Sequence, residues 1–366
     1  MQPFRVMYIV KQFPQISESY IKTEIEAIRE KCEVRIITTK KASMPATNHP
    51  PFCHIDKVAT IREAIEEFRP HVLHTHWLHS ARLLGELSKQ CKIPFTVRTH
   101  SFDSIWDDAR VTSGWSRIFG GNSLPPHVRE AIRFIRSDLC LGILAFPFNR
   151  ARLEKAGISA DKITDSYPVV NYPLFHDTGP NGDAIMNVGA AITKKKMEDF
   201  IDLGSMLPGR TFNLYAMAYD VDKLHKLNES KGKPINIVTP VELEDMPAQY
   251  KKHRWLVYTA RMDMASVGWP MSVAEAQASG VGVCVANIRP DLKEYVGDAG
   301  FLFNSITEAR EIITKPFPEE MRQRGFDQAK KSNIFEHRAV LFKLWQKASP
   351  AHFQDHKVEI QAESRQ

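Results

Sequence analysis

No stretch of this sequence approaches the ~18 consecutive apolar residues that a membrane-spanning helix requires. The longest candidate, Leu139–Phe148, is about half that length and reads as a buried strand. Cysteine is scarce: Cys32, Cys53, Cys91, Cys140 and Cys284 are scattered and odd in number, with no Cys-x-x-Cys pair. That argues against a disulfide framework or a zinc site and for a reducing compartment. The opening residues Met1–Arg5 run straight into a strand and lack a signal-peptide layout, so a cytoplasmic location is expected. There is no internal repeat, no low-complexity tract, and no zinc-finger, basic-zipper or RNA-recognition signature, so nucleic acid is not an expected partner. The 43% apolar and 25% charged content excludes a disordered tail protein or a collagen-like fibre.

The net charge of +6 is unevenly placed. Residues 1–170 carry 24 Lys and Arg against 18 Asp and Glu, whereas the remainder carries 25 of each. A basic first half is either an ordinary solvated surface or one that faces an acidic substrate or an anionic membrane.

What the chain does have is alternation. Apolar β-rich runs recur at Phe4–Val10, Val34–Thr39, Val72–Trp77, Phe95–His100 and Leu139–Phe146. They resume at Ala184–Val188, Phe212–Met217, Ile235–Val238, Trp255–Thr259, Val283–Ala286 and Gly300–Phe303. Helical patterns such as Ser19–Glu30, Ile61–Phe68, Ser80–Gln90 and Lys196–Met206 lie between them. Strand and helix in turn predict parallel sheets covered on both faces. The 366 residues suit two cores of roughly 150–180 residues each, and the Pro-, Gly- and Asp-containing stretch Tyr172–Asp183 reads as the linker. The expected fold is α/β, with two Rossmann-like doubly wound domains facing a central cleft: 1–172, 173–334, a helix 335–348 returning to the first domain, and a polar tail 349–366. Ligands of such sheets bind beyond the carboxyl ends of the strands.

Candidate site residues cluster at those ends. After the first strand, Ser17 or Ser19 either caps a helix or meets an anion or a sugar hydroxyl, and no G-x-G-x-x-G is present there to hold a dinucleotide. His74 and His76 point to one face of a strand, but without a third ligand at useful spacing no metal is expected. His100, at another strand end, is either structural or delivered to the cleft. Asn187-Val188-Gly189 closes a strand ahead of Lys194-Lys195-Lys196, which is expected to open a helix. Three lysines there oppose the macrodipole, an arrangement that makes sense beside an anionic ligand and is otherwise a solvated run. In Val267–Gly280, Ser272-x-x-Glu275 has capping-box spacing. The alternative is that amides near Met271 and Ser272 receive a diphosphate while Glu275 accepts from ribose hydroxyls. Asp220-Val221-Asp222, a short element of a type that can hold Mg²⁺ or Mn²⁺, is read as coincidental.

The order of these motifs resembles the family 4 glycosyltransferases of the GT-B type, especially bacterial exopolysaccharide and colanic-acid-type enzymes. Phe13-Pro14-Gln15-Ile16-Ser17-Glu18-Ser19-Tyr20-Ile21-Lys22-Thr23-Glu24-Ile25 is similar to the family's opening segment. His74-Thr75-His76-Trp77, Thr99-His100-Ser101-Phe102-Asp103, Val188–Lys195 and Val267–Gly280 are similar to its later elements, so the resemblance covers residues 4–348. It implies a retaining, metal-independent transferase with no cofactor, which takes a sugar from a UDP- or GDP-sugar donor to a glycan or lipid-linked acceptor. His100 and Lys195 would be catalytic. Ser17, Gly189, Lys194, Arg261, Gly268, Met271, Ser272 and Glu275 would hold the donor, and His76, Asp103 and Trp106 would meet the acceptor.

Two departures stand out. The family's arginine after Val-Gly is Ala190, and the first glutamate of its Glu-x7-Glu element is Val267; Arg261 is the expected replacement cation. The long stretch Ser101–Pro126, with Phe102, Ile105, Trp106, Trp115, Ile118 and Phe119, precedes a basic helix Val128–Arg136. Its aromatics either pack the loop or face a lipid-linked acceptor at an anionic membrane. A nucleotide-sugar epimerase, or a binding protein without turnover, are the alternatives to a transferase.

Overall fold

The computed structural model describes residues 3–100, 103–105, 124–264 and 266–353. Two all-parallel sheets organise it. The first has the order β3-β2-β1-β4-β5-β6-β7, from β1 (Phe4–Gln12), β2 (Cys32–Lys40), β3 (Cys53–His54), β4 (Val72–His76), β5 (Phe95–Arg98), β6 (Cys140–Ala145) and β7 (Ile163–Asp165). The second has the order β10-β9-β8-β11-β12-β13, from β8 (Ala184–Ala191), β9 (Phe212–Tyr219), β10 (Asn236–Val238), β11 (His253–Tyr258), β12 (Gly282–Ala286) and β13 (Phe301–Phe303). β3 and β7 are edge strands of two and three residues, too short to show a period in the sequence.

Helices cover both faces, so the central strands are buried along their length rather than alternating with solvent, and mostly apolar. β1 reads Phe-Arg-Val-Met-Tyr-Ile-Val and is buried on both sides, with Tyr8 in register with Ile36 on β2 and His74 on β4. One core lies on each face of the first sheet, and the second domain has its own, centred on Trp255, Phe200 and Phe212. The chain passes between domains at Val170 and Asn333, which form a parallel bridge. The helix Ile334–Trp345 then packs on the first domain, where Leu341 and Trp345 are fully buried beside Phe4 and Tyr8.

The strand order reverses between β1 and β4 in the first sheet and between β8 and β11 in the second. At such a reversal, neighbouring connections leave to opposite faces and open a crevice beyond the carboxyl ends. The segments that follow those four strands carry most of the residues singled out above.

Candidate active site

One cavity of about 340 Å³ is lined from both domains. Its first-domain wall includes Ser17, Glu18, Tyr20, Trp77, Arg98 and His100, and its second-domain wall includes Gly189, Lys194, Lys195, Gly268, Met271, Ser272 and Glu275. Seven expected donor residues, together with both expected catalytic residues, therefore meet in one place.

The second wall is built on β8. Gly189 stands at φ +141°, and a Cβ there would fall 1.9 Å from Lys195 Nζ. Glycine is needed both for the backbone conformation and for the close approach of the ammonium. Thr193–Lys195 form a single 3₁₀ turn, ended by Lys196 at φ +44°. Thr259 holds this turn by donating its hydroxyl to Lys195 O (2.8 Å) while accepting from Asn187 Nδ2 (2.9 Å). The helix starts only at Glu198, with Glu198 and Asp199 in its first turn. The expected helix opened by three lysines is thus corrected: the lysines precede the helix, the acidic pair faces its positive end, and no conflict with the macrodipole arises.

Burial pushes the Lys195 ammonium down to about 8, helped by Lys194 and opposed by Glu275. Lys194 is likewise pushed down to about 8 by burial, with Asp103 of the first domain pulling the other way. Lys194 Nζ donates to Ser266 O at 3.1 Å, and Lys195 Nζ lies 5.6 Å from the Tyr258 ring centroid. Glu275 is buried and accepts a hydrogen bond from Tyr250 Oη at 2.7 Å; burial raises it to about 7. It makes no capping box, because the helix Met271–Ala278 begins after Pro270 without a side-chain cap and Ser272 lies inside it. That leaves the Met271 and Ser272 amides, at the lip of the cavity, without intrahelical partners, while the Val273 amide donates to Pro270 O.

On the first wall, the helix Ser19–Arg29 carries Tyr20 and Glu24 on one face, one turn apart. Tyr20 and Trp77 flank the His100 ring at centroid distances of 4.5 and 4.3 Å. Glu18 also lines the cavity, and burial raises its carboxyl to about 7 against a small pull from Lys11. Glu18, Tyr20, Arg98 and Tyr258 received no role from the sequence, although Glu18 and Tyr20 sit inside the Phe13–Ile25 segment.

Three expected site residues lie elsewhere. His76 is fully buried behind His100 and does not line the cavity. Asp103 is also buried: its carboxylate accepts from Leu78 N (2.6 Å) and His100 N (2.9 Å), joining two strand ends. Arg261 is off the cavity in a two-bond pair with Asp263 (3.0 and 2.7 Å), and it touches the site only through its backbone N–H, which donates to Lys194 O. Trp106, with most of Ser101–Pro126, lies outside the described residues.

Val267 is buried at the cavity edge, its carbonyl held by Arg289, which is itself paired with Asp291. Asp220 pairs with Lys223 at 2.6 Å at the start of a helix. The third ligand missing from the sequence pattern is Glu24, whose carboxylate meets both His74 and His76. Arg98 Nε already donates to that carboxylate at 2.6 Å, and a guanidinium in contact with the cluster makes it a poor place for a cation.

No protein-family model and no curated protein matches the sequence. Solved structures do match. Sucrose-phosphate synthase from Thermosynechococcus elongatus superposes with a TM-score of 0.71 at 13% identity, over 94% of this chain and 100% of that one. HepE of Anabaena, solved in complex with UDP-glucose, gives 0.67 at 13% identity over 94% and 98%. WaaG, a glycosyltransferase of lipopolysaccharide biosynthesis, gives 0.57 at 12% identity over 95% and 98%. The fold is GT-B. In that arrangement the cavity described above occupies the cleft between the two Rossmann-like domains. Among the described residues no helix is long and apolar enough to cross a membrane.

Proposed function

We propose that this chain is a glycosyltransferase that moves a sugar from a nucleoside-diphosphate sugar, UDP- or GDP-linked, to a hydroxyl of a glycan or lipid-linked acceptor with retention of configuration. The observation that carries the reading is Lys195, a half-buried cation packed on Gly189 beside a helix N-terminus and Glu275, with His100 on the opposite wall of one cavity. The HepE complex with UDP-glucose lends support, because a protein of this fold binds such a donor.

Cleavage of the anomeric C–O bond leaves negative charge on the departing diphosphate. Lys195, Lys194 and the amides of the first turn after Pro270 stabilise that charge without waiting for solvent to reorganise. Glu275 is placed to accept from the ribose hydroxyls. The acceptor oxygen forms the new bond on the face the diphosphate leaves, and its proton passes to a diphosphate oxygen. His100, on the first wall, faces the transferred sugar. No metal takes part in this scheme.

A thermal-shift panel of UDP, GDP, ADP and CMP and their sugars tests the donor site, since a ligand at 100 times its Kd adds about 2.7 kcal/mol of stability. One nucleotide series should stand out. Transfer to candidate acceptors, with the product anomer read by proton NMR, then tests the reaction and its stereochemistry. Absence of any nucleotide shift would defeat the reading, whereas binding without transfer or epimerisation would make the chain a binding protein.

A further inference from the structure

Behind the first wall lies a cluster of buried polar side chains, and the polarity of its hydrogen bonds can be worked out from the groups it contains. At its far end, Trp345 Nε1–H, which can only donate, gives to Thr96 Oγ1 at 3.0 Å. The Thr96 hydroxyl is therefore free to donate to His74 Nδ1 at 2.7 Å, leaving the proton of a neutral His74 on Nε2. That nitrogen lies 3.1 Å from Glu24 Oε1, close but without hydrogen-bond geometry, so the bonds that fix the carboxylate are those from His76, Tyr8 and Arg98. The same oxygen is 3.2 Å from His76 Nε2 and accepts from Tyr8 Oη at 3.1 Å. Arg98 Nε occupies the other carboxylate oxygen. On its far side His76 presents Nδ1 to His100 Nε2 at 3.1 Å, with the ring centroids 5.3 Å apart and the ring planes within 17° of each other, an edge-to-edge arrangement.

A carboxylate only accepts, so His76 carries its proton on Nε2. Burial would raise Glu24, but Arg98, His76 and His74 together hold its carboxyl well below the usual range, so it is ionised. Arg98 already balances this charge, and burial pushes His76 down to about 4 against the pull of Glu24. His76 is thus neutral, and its Nδ1 is a bare lone pair aimed at His100. The nitrogen of His100 facing it must donate. One nitrogen of a neutral imidazole decides the other, which leaves Nδ1 of His100 unprotonated.

We propose that His76 and Glu24 are positioning residues that fix His100 as the Nε2–H tautomer, so that His100 meets the transferred sugar or the acceptor with Nδ1 as a hydrogen-bond acceptor for a hydroxyl. The inference rests on the glycosyl-transfer reading for the identity of that hydroxyl, but not for the tautomer. Tyr20 and Trp77 clamp the ring from its sides, and Asp103 holds its backbone N–H, so neither the ring plane nor the strand end has to be set by the substrate. A triad is the same device: one group holds an imidazole in the tautomer its task requires.

The test is the two-bond proton–nitrogen spectrum of the full-length ¹⁵N-labelled chain near neutral pH, with His100→Gln used to assign the His100 signals. The expected spectrum has His100 protonated on Nε2 alone. His76→Phe, which removes the acceptor, should release that tautomer and lower turnover roughly 10- to 100-fold with the donor KM little changed. His76→Asn, whose carbonyl oxygen can take the place of Nδ1, should restore both. A wild-type His100 protonated on Nδ1, or on both nitrogens, overturns the proposal, as does a His76→Phe protein that keeps the tautomer and its turnover. If His76→Phe does not fold, the wild-type spectrum and His76→Asn still decide. A chain with the expected tautomer but no transferase activity would refute the proposed function and leave this inference standing.

Discussion

Lys195 occupies the space that a side chain on Gly189 would need: a Cβ added at position 189 would lie 1.9 Å from the lysine Nζ. The two residues are six apart in sequence, and the 3₁₀ turn Thr193–Lys195 folds one back over the other. A residue without a side chain is therefore part of how a half-buried cation is presented to the cleft.

Gly189→Ala should expel the Lys195 ammonium from its seat and strain the backbone at φ +141°. A hydrogen bond to a charged group contributes about 1.5–3 kcal/mol, so nucleotide affinity should fall by roughly one to two orders of magnitude. Isothermal titration calorimetry checks this, and Lys195→Ala should show a loss of similar size. Unchanged affinity in both would remove the pair from the donor site.

Nucleotide binding should weaken as pH rises from 6 to 9. Lys194 and Lys195, lowered to about 8 by burial, lose their charge over the upper part of this range. Glu18 and Glu275, raised to about 7, gain charge over its lower part. Both changes disfavour an anion. Binding a diphosphate near pH 8 should accordingly take up protons, seen as a dependence of the measured enthalpy on the ionisation heat of the buffer. Proton release on binding would contradict the assignment.

The same shifts bear on stability, with opposite signs. A carboxyl whose folded value is raised costs the fold stability as pH climbs from 4.5 through about 7, so Glu275→Gln should flatten that part of the stability–pH curve. A lysine whose folded value is lowered costs stability below about 8, and the penalty fades as pH rises toward 10.5. Lys195→Met should remove its share of that rise, leaving the share of Lys194. Urea titrations across pH measure both.

Arg261→Ala should leave nucleotide affinity nearly unchanged and shift stability by less than about 0.5 kcal/mol, because the guanidinium is partly exposed and paired with Asp263 away from the cavity. A large loss of donor affinity would restore Arg261 as the cation that replaces the family arginine.

Trp345→Ala should destabilise the chain by roughly 3–5 kcal/mol. The indole is fully buried on the first domain, stacks 6.1 Å from Phe4, and its N–H is the donor to Thr96. A urea midpoint close to wild type would mean that the final helix contributes little to the first domain's core.

Much of the fold was legible in the sequence because a parallel sheet covered on both faces makes most of its central strands run apolar rather than alternating. Such runs as Phe4–Val10 and Val283–Ala286 carry their own signal. The same holds for Lys195 and Glu275, which sit at junctions between a strand and the helix that follows, where composition and spacing are read over a few contiguous residues. Tertiary structure decided the rest. The His74–His76 pair found its third partner in Glu24, some 50 residues earlier, because β1 and its helix lie beside β4. Asp103 became a backbone clamp rather than an acceptor ligand because two strand ends converge on it. Ser272 and Glu275 kept their capping spacing but not its hydrogen bonds, since Tyr250 reached Glu275 instead. Local periodicity is set by neighbours along the chain, whereas the partner of a buried polar group is set by which distant segment packs against it.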